Sequence, residues 1–284
     1  MQTEVIETVN SAINLGRIVT LLIMMSLTLT NVSDAQHKLL KDVVAMWLFD
    51  DVGNQGSIRD FSGGNHHAKL INRPKLVEGK FGEAVQFSES KKNYLEVSDH
   101  EDLRFSDVVS ISAWVKRPLR ENAEDTAPYF ILEKGQEWQR ADAANYGIAL
   151  HKIFKSMFYF WYAGGFQGVT GIGDDNWHHY VAVAKHGDRE PSLYIDGELK
   201  PIEHTDGGKK VNLRLTNSPI LIGAGVEDLF DSYTDNTIDE VIIFNKALTQ
   251  KDVTILGKGV DAGLLSVSAS GKLATTWAGI KQSQ

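Results

Sequence analysis

The chain has no cysteine, so no disulfide, zinc–thiolate site or cysteine nucleophile can be drawn from its 284 residues. Basic residues are in deficit as well. Twenty-nine Lys+Arg stand against 37 Asp+Glu, a formal net charge of −8, and no cluster of Lys or Arg occurs. Nucleic acid, whose binding calls for such a cluster, is not an expected partner. Long apolar runs are missing too: the longest, residues 18–29, has 12 residues, whereas a bilayer span needs about 20. Helical patterns of 10–15 residues between the apolar segments are also lacking, which argues against a parallel α/β sheet. With 42% hydrophobic and 23% charged residues, the remainder describes an ordinary globular protein, long enough to bury a core by itself.

The 12-residue run has the length of a signal-peptide h-region. Arg17 precedes it, and Ser33-Asp34-Ala35 places small residues at −3 and −1 of a cleavage site before Gln36. Residues 1–35 therefore read as a secretory signal, with the product secreted or held in the cell envelope and no membrane span left after cleavage. The signal carries Glu4, Glu7 and Asp34 against Arg17, a net of −2, so the remainder keeps −6 of the −8 and stays acidic.

From residue 43 onward, short β-rich runs are broken by Gly, Asn and Asp. Candidate strands lie at residues 44–49, 84–87, 94–97, 109–115, 129–133, 146–150, 157–162, 178–184, 193–195, 220–222 and 238–244. In the run 109–115 (VSISAWV) the odd positions are apolar and 110 and 112 are Ser, the period of a strand with one packed face. Asp196-Gly197 at a strand end is a hairpin signal. Such strands with turns between them imply two packed antiparallel sheets. One helix is expected, at residues 247–256, where Thr249 and Asp252 form a capping-box pattern and Gly257 and Gly259 follow as stops. Residues 258–284, rich in Ser, Thr, Gly and Ala, read as a tail without an assigned role.

The order of motifs then resembles a known family. Trp47-Leu-Phe-Asp50, Asp60-Phe-Ser-Gly-Gly-Asn65, Phe81-Gly-Glu-Ala-Val-Gln-Phe87, Tyr94-Leu-Glu-Val97, Ile111-Ser-Ala-Trp-Val115, Trp177-His-His-Tyr-Val-Ala-Val183, Leu193-Tyr-Ile-Asp-Gly197 and the segment from Ile238 to Leu248 follow one another as in laminin G-like, concanavalin A-like jelly-roll domains of secreted bacterial proteins. The resemblance implies an all-β, two-sheet antiparallel jelly-roll sandwich over residues 42–257. It also implies a module that binds carbohydrate or protein, often with a calcium ion. The fold alone names no ligand. Ahead of its last strand motif the family usually carries Gly; Asn236 stands there in this chain, a residue that tolerates positive φ.

The same superfamily contains glycoside hydrolases whose carboxylates alternate along a strand as Glu-x-Asp-x-Glu, a spacing that sets two of them across a glycosidic bond. No such run occurs. The acidic residues at 121–125 and 101–102 read as solvated charge. Gly-x-Ser-x-Gly is absent, and the glycine-rich stretch 164–173 lacks the Lys of a phosphate loop. Adjacent histidines on a strand point to opposite faces, so His178-His179 does not have zinc-ligand spacing; for His66-His67 the resemblance implies turn residues. A non-catalytic reading follows. The alternatives are a glycoside hydrolase with unrecognised carboxylates and an adhesive, protein-binding module.

Two sites are expected. The resemblance makes the strands ending at Asp50 and holding Asp239 neighbours, which would bring these carboxylates together at one edge with Asp60 close by, as hard-oxygen ligands of a structural calcium ion. The alternative is that they cap turns by accepting backbone N–H bonds. The second site is the aromatic strand at 157–162. Alternation sends Met157, Tyr159 and Trp161 to one face and Phe158, Phe160 and Tyr162 to the other, while a sandwich strand has one core face. Tyr159 and Trp161, with polar tips, are expected outside as a stacking platform for a glycan or a cell-surface partner. The open alternative is that residues 164–173 fold back over them.

Overall fold

The computed structural model describes residues 39–53, 56–118, 128–135, 144–151, 157–206, 210–225 and 232–260. The expected signal segment 1–35, the acidic stretch 121–125 and nearly all of the tail lie outside them. Asp42–Val260 forms one compact unit; Met1–Lys41 with Asp261–Gln284 groups separately, and of it only residues 39–41 are described.

Strands account for about half of the described residues. The first are β1 (Val43–Trp47), β2 (Val52–Gly53), β3 (Ser57–Ile58), β4 (Ala68–Ile71), β5 (Lys75–Glu78), β6 (Glu83–Gln86) and β7 (Tyr94–Val97). Then come β8 (Val108–Lys116), β9 (Pro128–Gly135), β10 (Ala144–His151), β11 (Phe158–Tyr162), β12 (Gly165–Val169) and β13 (Trp177–Lys185). The last are β14 (Ser192–Ile195), β15 (Glu198–Lys200), β16 (His204–Asp206), β17 (Ile220–Ile222), β18 (Ala224–Gly225), β19 (Ser232–Tyr233) and β20 (Thr237–Phe244), followed by the helix α1 (Gln250–Leu256). One sheet runs β15-β14-β13-β8-β20-β6-β5, with β1 also on β20; the other runs β16-β12-β11-β10-β9-β17-β7-β4-β3-β2; β18 and β19 pair as a separate ribbon. This is the two-sheet antiparallel sandwich that the alternation and the resemblance imply.

Period two builds the space between the sheets. Val109, Ile111, Ala113 and Val115 of β8 and Tyr180, Ala182 and Ala184 of β13 all enter one buried cluster, joined from the other sheet by Tyr146, Ile148, Leu150, Phe158, Phe160 and Tyr162. The Asp196-Gly197 turn is a two-residue hairpin with φ of 52° and 83°, the left-handed pair that a type I′ turn requires. Helix α1 has its capping box: Thr249 Oγ1 accepts from the Asp252 backbone N–H, and Asp252 Oδ2 accepts from that of Thr249 at 2.9 Å. Asn236 differs from expectation, because it is not among the positive-φ residues. Glu240, four residues beyond it, takes the left-handed conformation instead, with φ of 44°.

The glycine-rich stretch 164–173 is the other departure. Residues 165–169 form β12, because their glycines serve close packing rather than chain freedom. A Cβ on Gly168 would lie 2.9 Å from Tyr159 Cβ, and one on Gly165 would lie 2.6 Å from the Asp206 carbonyl oxygen. Pairing β12 with β11 carries Phe166 alongside Trp161. Tyr159 and Trp161 are consequently not an exposed platform: they are 2% and 5% exposed, in a second cluster with Phe130, Ala149 and Met157, against which Phe166 packs. The alternation assigned both faces of β11 correctly, yet both are covered.

Truncating either face should therefore destabilise the protein. Phe160→Ala and Trp161→Ala are each expected to lower the unfolding free energy by about 3–5 kcal/mol, the usual cost of removing a buried aromatic ring. Chemical denaturation of the two variants checks it. A Trp161→Ala protein as stable as the parent would mean the outer cluster contributes no packing.

Candidate functional site

The carboxylate corner arises from a break in strand pairing. β6 pairs with β20 at Thr237 and Ile238, and β1 pairs with it at Val241–Phe244, so residues 239 and 240 face a gap between two partner strands. On the other edge β20 bulges: Asp239 lies opposite Trp114 and Ile242 opposite Ser112, three residues against two. The extra residue lets Val241 and Ile243 join Ile238 in the core, while Asp239, next to Ile238, faces outward by alternation.

Two turns fill the gap. Asp239 Oδ2 accepts from the Phe81 backbone N–H at 2.9 Å, and Oδ1 accepts from that of Glu240 at 2.8 Å. Asp50, directly after β1, accepts at Oδ1 from the Glu83 N–H at 2.7 Å. The β5–β6 turn passes so close that a Cβ on Gly79 would sit 2.6 Å from Asp239 Oδ2, and one on Gly82 would sit 2.0 Å from Asp50 Oδ1. Only glycine permits this approach, and Gly82 also has φ of +59°. Burial pushes the Asp239 carboxyl up to about 7, and the Asp50 charge pushes the same way, against the backbone N–H bonds that favour the ionised form. The pairing of β1 with β20 thus sets Asp50 and Asp239 against the same β5–β6 turn.

Asp60 does not belong with them. Its Oδ1 accepts from the N–H groups of Met46 and Ser62, both at 2.9 Å. Its Oδ2 accepts from Ser62 Oγ at 2.8 Å and His66 N–H at 2.9 Å. Three backbone N–H groups and the Ser62 hydroxyl, which also reaches the Val44 carbonyl, surround this carboxylate and tie it to its own turn. Asp60 organises the turn before β4, and its assignment as a calcium ligand is corrected to that.

The outer aromatic layer is built on β9, β11 and β12. Trp161 and Phe166 stack nearly parallel, 9° apart with centroids at 5.8 Å; Tyr159 lies 5.2 Å from Phe166, and Phe130 meets Trp161 edge-on at 6.3 Å. Gly225 of β18 abuts the Phe130 ring. Phe166 is half-buried and is the most accessible ring of the layer. Sequence reasoning missed it because the glycines around it read as loop; its position opposite Trp161 in a hairpin was the usable signal.

The histidine pair on β13 faces two ways, as strand geometry demands. His179 is buried, its Nε2 2.8 Å from Ser112 Oγ and its ring stacked on Trp114, and burial lowers its pKa to about 4. His178 bridges Asp196 at 2.6 Å and Asp174 at 2.9 Å; burial alone would lower its pKa, but the two carboxylates raise it overall.

Comparison with known proteins agrees with this architecture. A curated relative, the botulinum-like toxin eBoNT/J of Enterococcus sp. (strain 3G1_DIV0629), is 24% identical over 209 residues, 72% of this chain and 16% of the toxin. Among solved structures, the binding domain of Paraclostridial Mosquitocidal Protein 1 superposes with a TM-score of 0.59 at 16% identity, covering 77% of this chain and 52% of that one. Domain 4 of AbnA, a GH43 extracellular arabinanase from Geobacillus stearothermophilus solved with arabinotriose, gives 0.54 at 20% identity, covering 76% of this chain and 98% of the domain. The chain thus spans about a sixth of the toxin and about half of the mosquitocidal binding domain. A laminin G family model, described as the concanavalin A-like lectin/glucanases superfamily, matches residues 89–254. With more than half of its length matched, the chain belongs to the concanavalin A-like lectin/glucanases superfamily.

Proposed function

We propose that this protein is a secreted, non-catalytic binding module whose ligand is a glycan, free or on a cell surface, taken up at the outer aromatic layer. The observation that carries this is the layer itself: Phe130, Met157, Tyr159, Trp161 and Phe166 gather outside the core between the sheets, with Phe166 partly open. Pyranose C–H faces stack on such rings. Tyr159 and Trp161 act from beneath by holding Phe166 flat, which is how the two residues singled out in the sequence enter the site. Domain 4 of AbnA, overlaid over nearly its whole length, was solved with a trisaccharide, and this supports a sugar ligand. The absence of an alternating carboxylate run supports binding without cleavage. No helix of the described residues is long and apolar enough to cross a membrane.

Calcium at the corner is the second part of the proposal. Two carboxylates on one turn, the charge of Asp50 favouring the proton on Asp239, supply hard oxygens, and turn carbonyls complete such sites. The ion would bind Asp50 and Asp239 and lock the β5–β6 turn onto β20.

Three measurements test these readings. Phe166→Ala should weaken capture on a glycan array by about 0.5–1.5 kcal/mol, the worth of one aromatic contact, with the fold intact; glycan binding unchanged by it, or binding only to a protein receptor, would move the site elsewhere. Mass spectrometry of exported protein should place the N-terminus at Gln36, and an intact Met1 would overturn the secretory reading. For calcium, a dissociation constant of about 0.1 mM would make 1 mM calcium add about 1.4 kcal/mol of stability at pH 8. Asp239 must lose its proton to bind, so at pH 5.5, below its value of about 7, affinity should fall about 30-fold and the stabilisation nearly vanish. Without metal the sign reverses: the carboxyl binds its proton more tightly folded than unfolded, so its contribution is full below about pH 4 and is lost as pH rises through 7. A calcium shift equal at both pH values, or kept by Asp50→Asn, would leave the corner as a turn clamp.

A further inference from the structure

A third cluster lies apart from both sites and uses residues neither of them needs. His66 sits in the turn between β3 and β4. His100 and Asp102 come from the single 3₁₀ turn Glu101–Leu103 between β7 and β8, with His100 at its N-cap accepting from the Asp102 N–H. One ligand atom from each of the three lies within 4.8 Å of the other two, and among the described residues no other group of His, Asp or Glu does this. His100 Nδ1 is 3.1 Å and His66 Nε2 3.8 Å from Asp102 Oδ2. The two imidazole rings are 5.0 Å apart.

His66 is the observation that points to a ligand. Its side chain is 3% exposed, and its buried Nε2 has no hydrogen-bond partner. A buried polar atom left in this state is uncommon, and it faces the two other donors. Its surroundings are arranged around it: the His66 N–H is bound by Asp60 Oδ2 and its carbonyl accepts from Trp47 Nε1 at 2.8 Å. Gly64 has no side chain where a Cβ would lie 2.6 Å from Nε2. The opposite turn is pinned as firmly. Asp99, one residue before His100, takes the buried Lys134 ammonium at 2.6 Å and the Arg104 guanidinium, and the Leu103 carbonyl accepts from buried Tyr146.

We propose that His66, His100 and Asp102 form a three-ligand site for a borderline transition-metal ion of the zinc type, with its fourth position open to solvent. Two imidazoles and a carboxylate are the donor set such ions select, whereas calcium takes oxygen alone. Bonds of about 2.0–2.1 Å put tetrahedral donors about 3.3–3.4 Å apart, close to the 3.1 and 3.8 Å separations observed. The remaining gap between the histidines closes by rotating His100, whose side chain is 51% exposed and whose Nδ1 gives up its 3.3 Å bond from the Asp102 N–H in doing so; the Asp102 side chain is 55% exposed. The ion clips the β3–β4 turn to the β7–β8 turn, and its free position admits a donor from solvent or from a bound ligand.

Titrating the full, chelator-stripped chain with zinc against a chromogenic chelator tests this, with cobalt(II) as a spectroscopic substitute. One equivalent of zinc should bind, raise the melting midpoint and persist in millimolar calcium, and cobalt should give the visible absorption of a four-coordinate centre. His100→Ala and Asp102→Ala, on exposed side chains, should each fold and lose more than the roughly 10–100-fold in affinity that removing an outer-shell partner costs. Asp50→Asn should bind zinc as the parent does, which separates this site from the calcium reading. Failure of the parent chain to take up zinc, or zinc binding that survives both ligand substitutions together, would overturn the proposal.

Discussion

All eight residues of β20 are buried, although a sandwich strand turns only alternate residues toward the core. The strand runs through the middle of its sheet with β8 on one edge and, in succession, β6 and β1 on the other. Strict period two from Ile238 would carry Glu240 and Ile242 into the core. The bulge inserts one residue, and Glu240 takes the left-handed conformation that makes this possible. The inner face then closes with Val241 and Ile243, and Glu240 is kept out of the core, while Asp239, outward by alternation from Ile238, lies at the gap between β6 and β1.

The buried position of Asp239 has an electrostatic cost. A carboxylate removed from water under the field of a second carboxylate is held by backbone N–H groups of the β5–β6 turn and of Glu240. Gly79 and Gly82 are there because any side chain would collide with the two carboxylates. The same economy recurs at Asp60, where four donors absorb one buried charge and set the turn that carries His66. In both places a carboxylate orders a loop through main-chain donors.

β11 shows how a second buried layer forms outside the first. Phe158, Phe160 and Tyr162 fill the space between the sheets, and Tyr159 and Trp161 are covered on the far side by Phe166 and by Met157. Burying a large apolar side chain contributes about 1.5–3 kcal/mol, so the outer layer stabilises its end of the sheet appreciably and leaves one ring at the surface. A face that is both packed and partly open suits a ligand surface that must not rearrange on binding.

The longer strands, the two faces of β8, β11 and β13, the Asp196-Gly197 hairpin and the Thr249–Asp252 capping box were legible in the sequence, because each is set by neighbours within a few residues; short strands such as β2–β5, β15 and β16 were not. That the strands carrying Asp50 and Asp239 are neighbours was legible only through the family resemblance. What the chain could not disclose locally was decided by contacts between distant segments. The glycines of β12 read as loop until Tyr159 and Asp206 are placed against them; Asp60 read as a free ligand until Met46 and His66 claim its oxygens. His66, 34 residues from His100, joins it only once β4 and β7 pair and bring the two turns to the same end of the sheet. Periodicity along the chain determines which side of a strand is apolar; which side is covered, and which donors converge, depends on the partners that pairing brings from elsewhere.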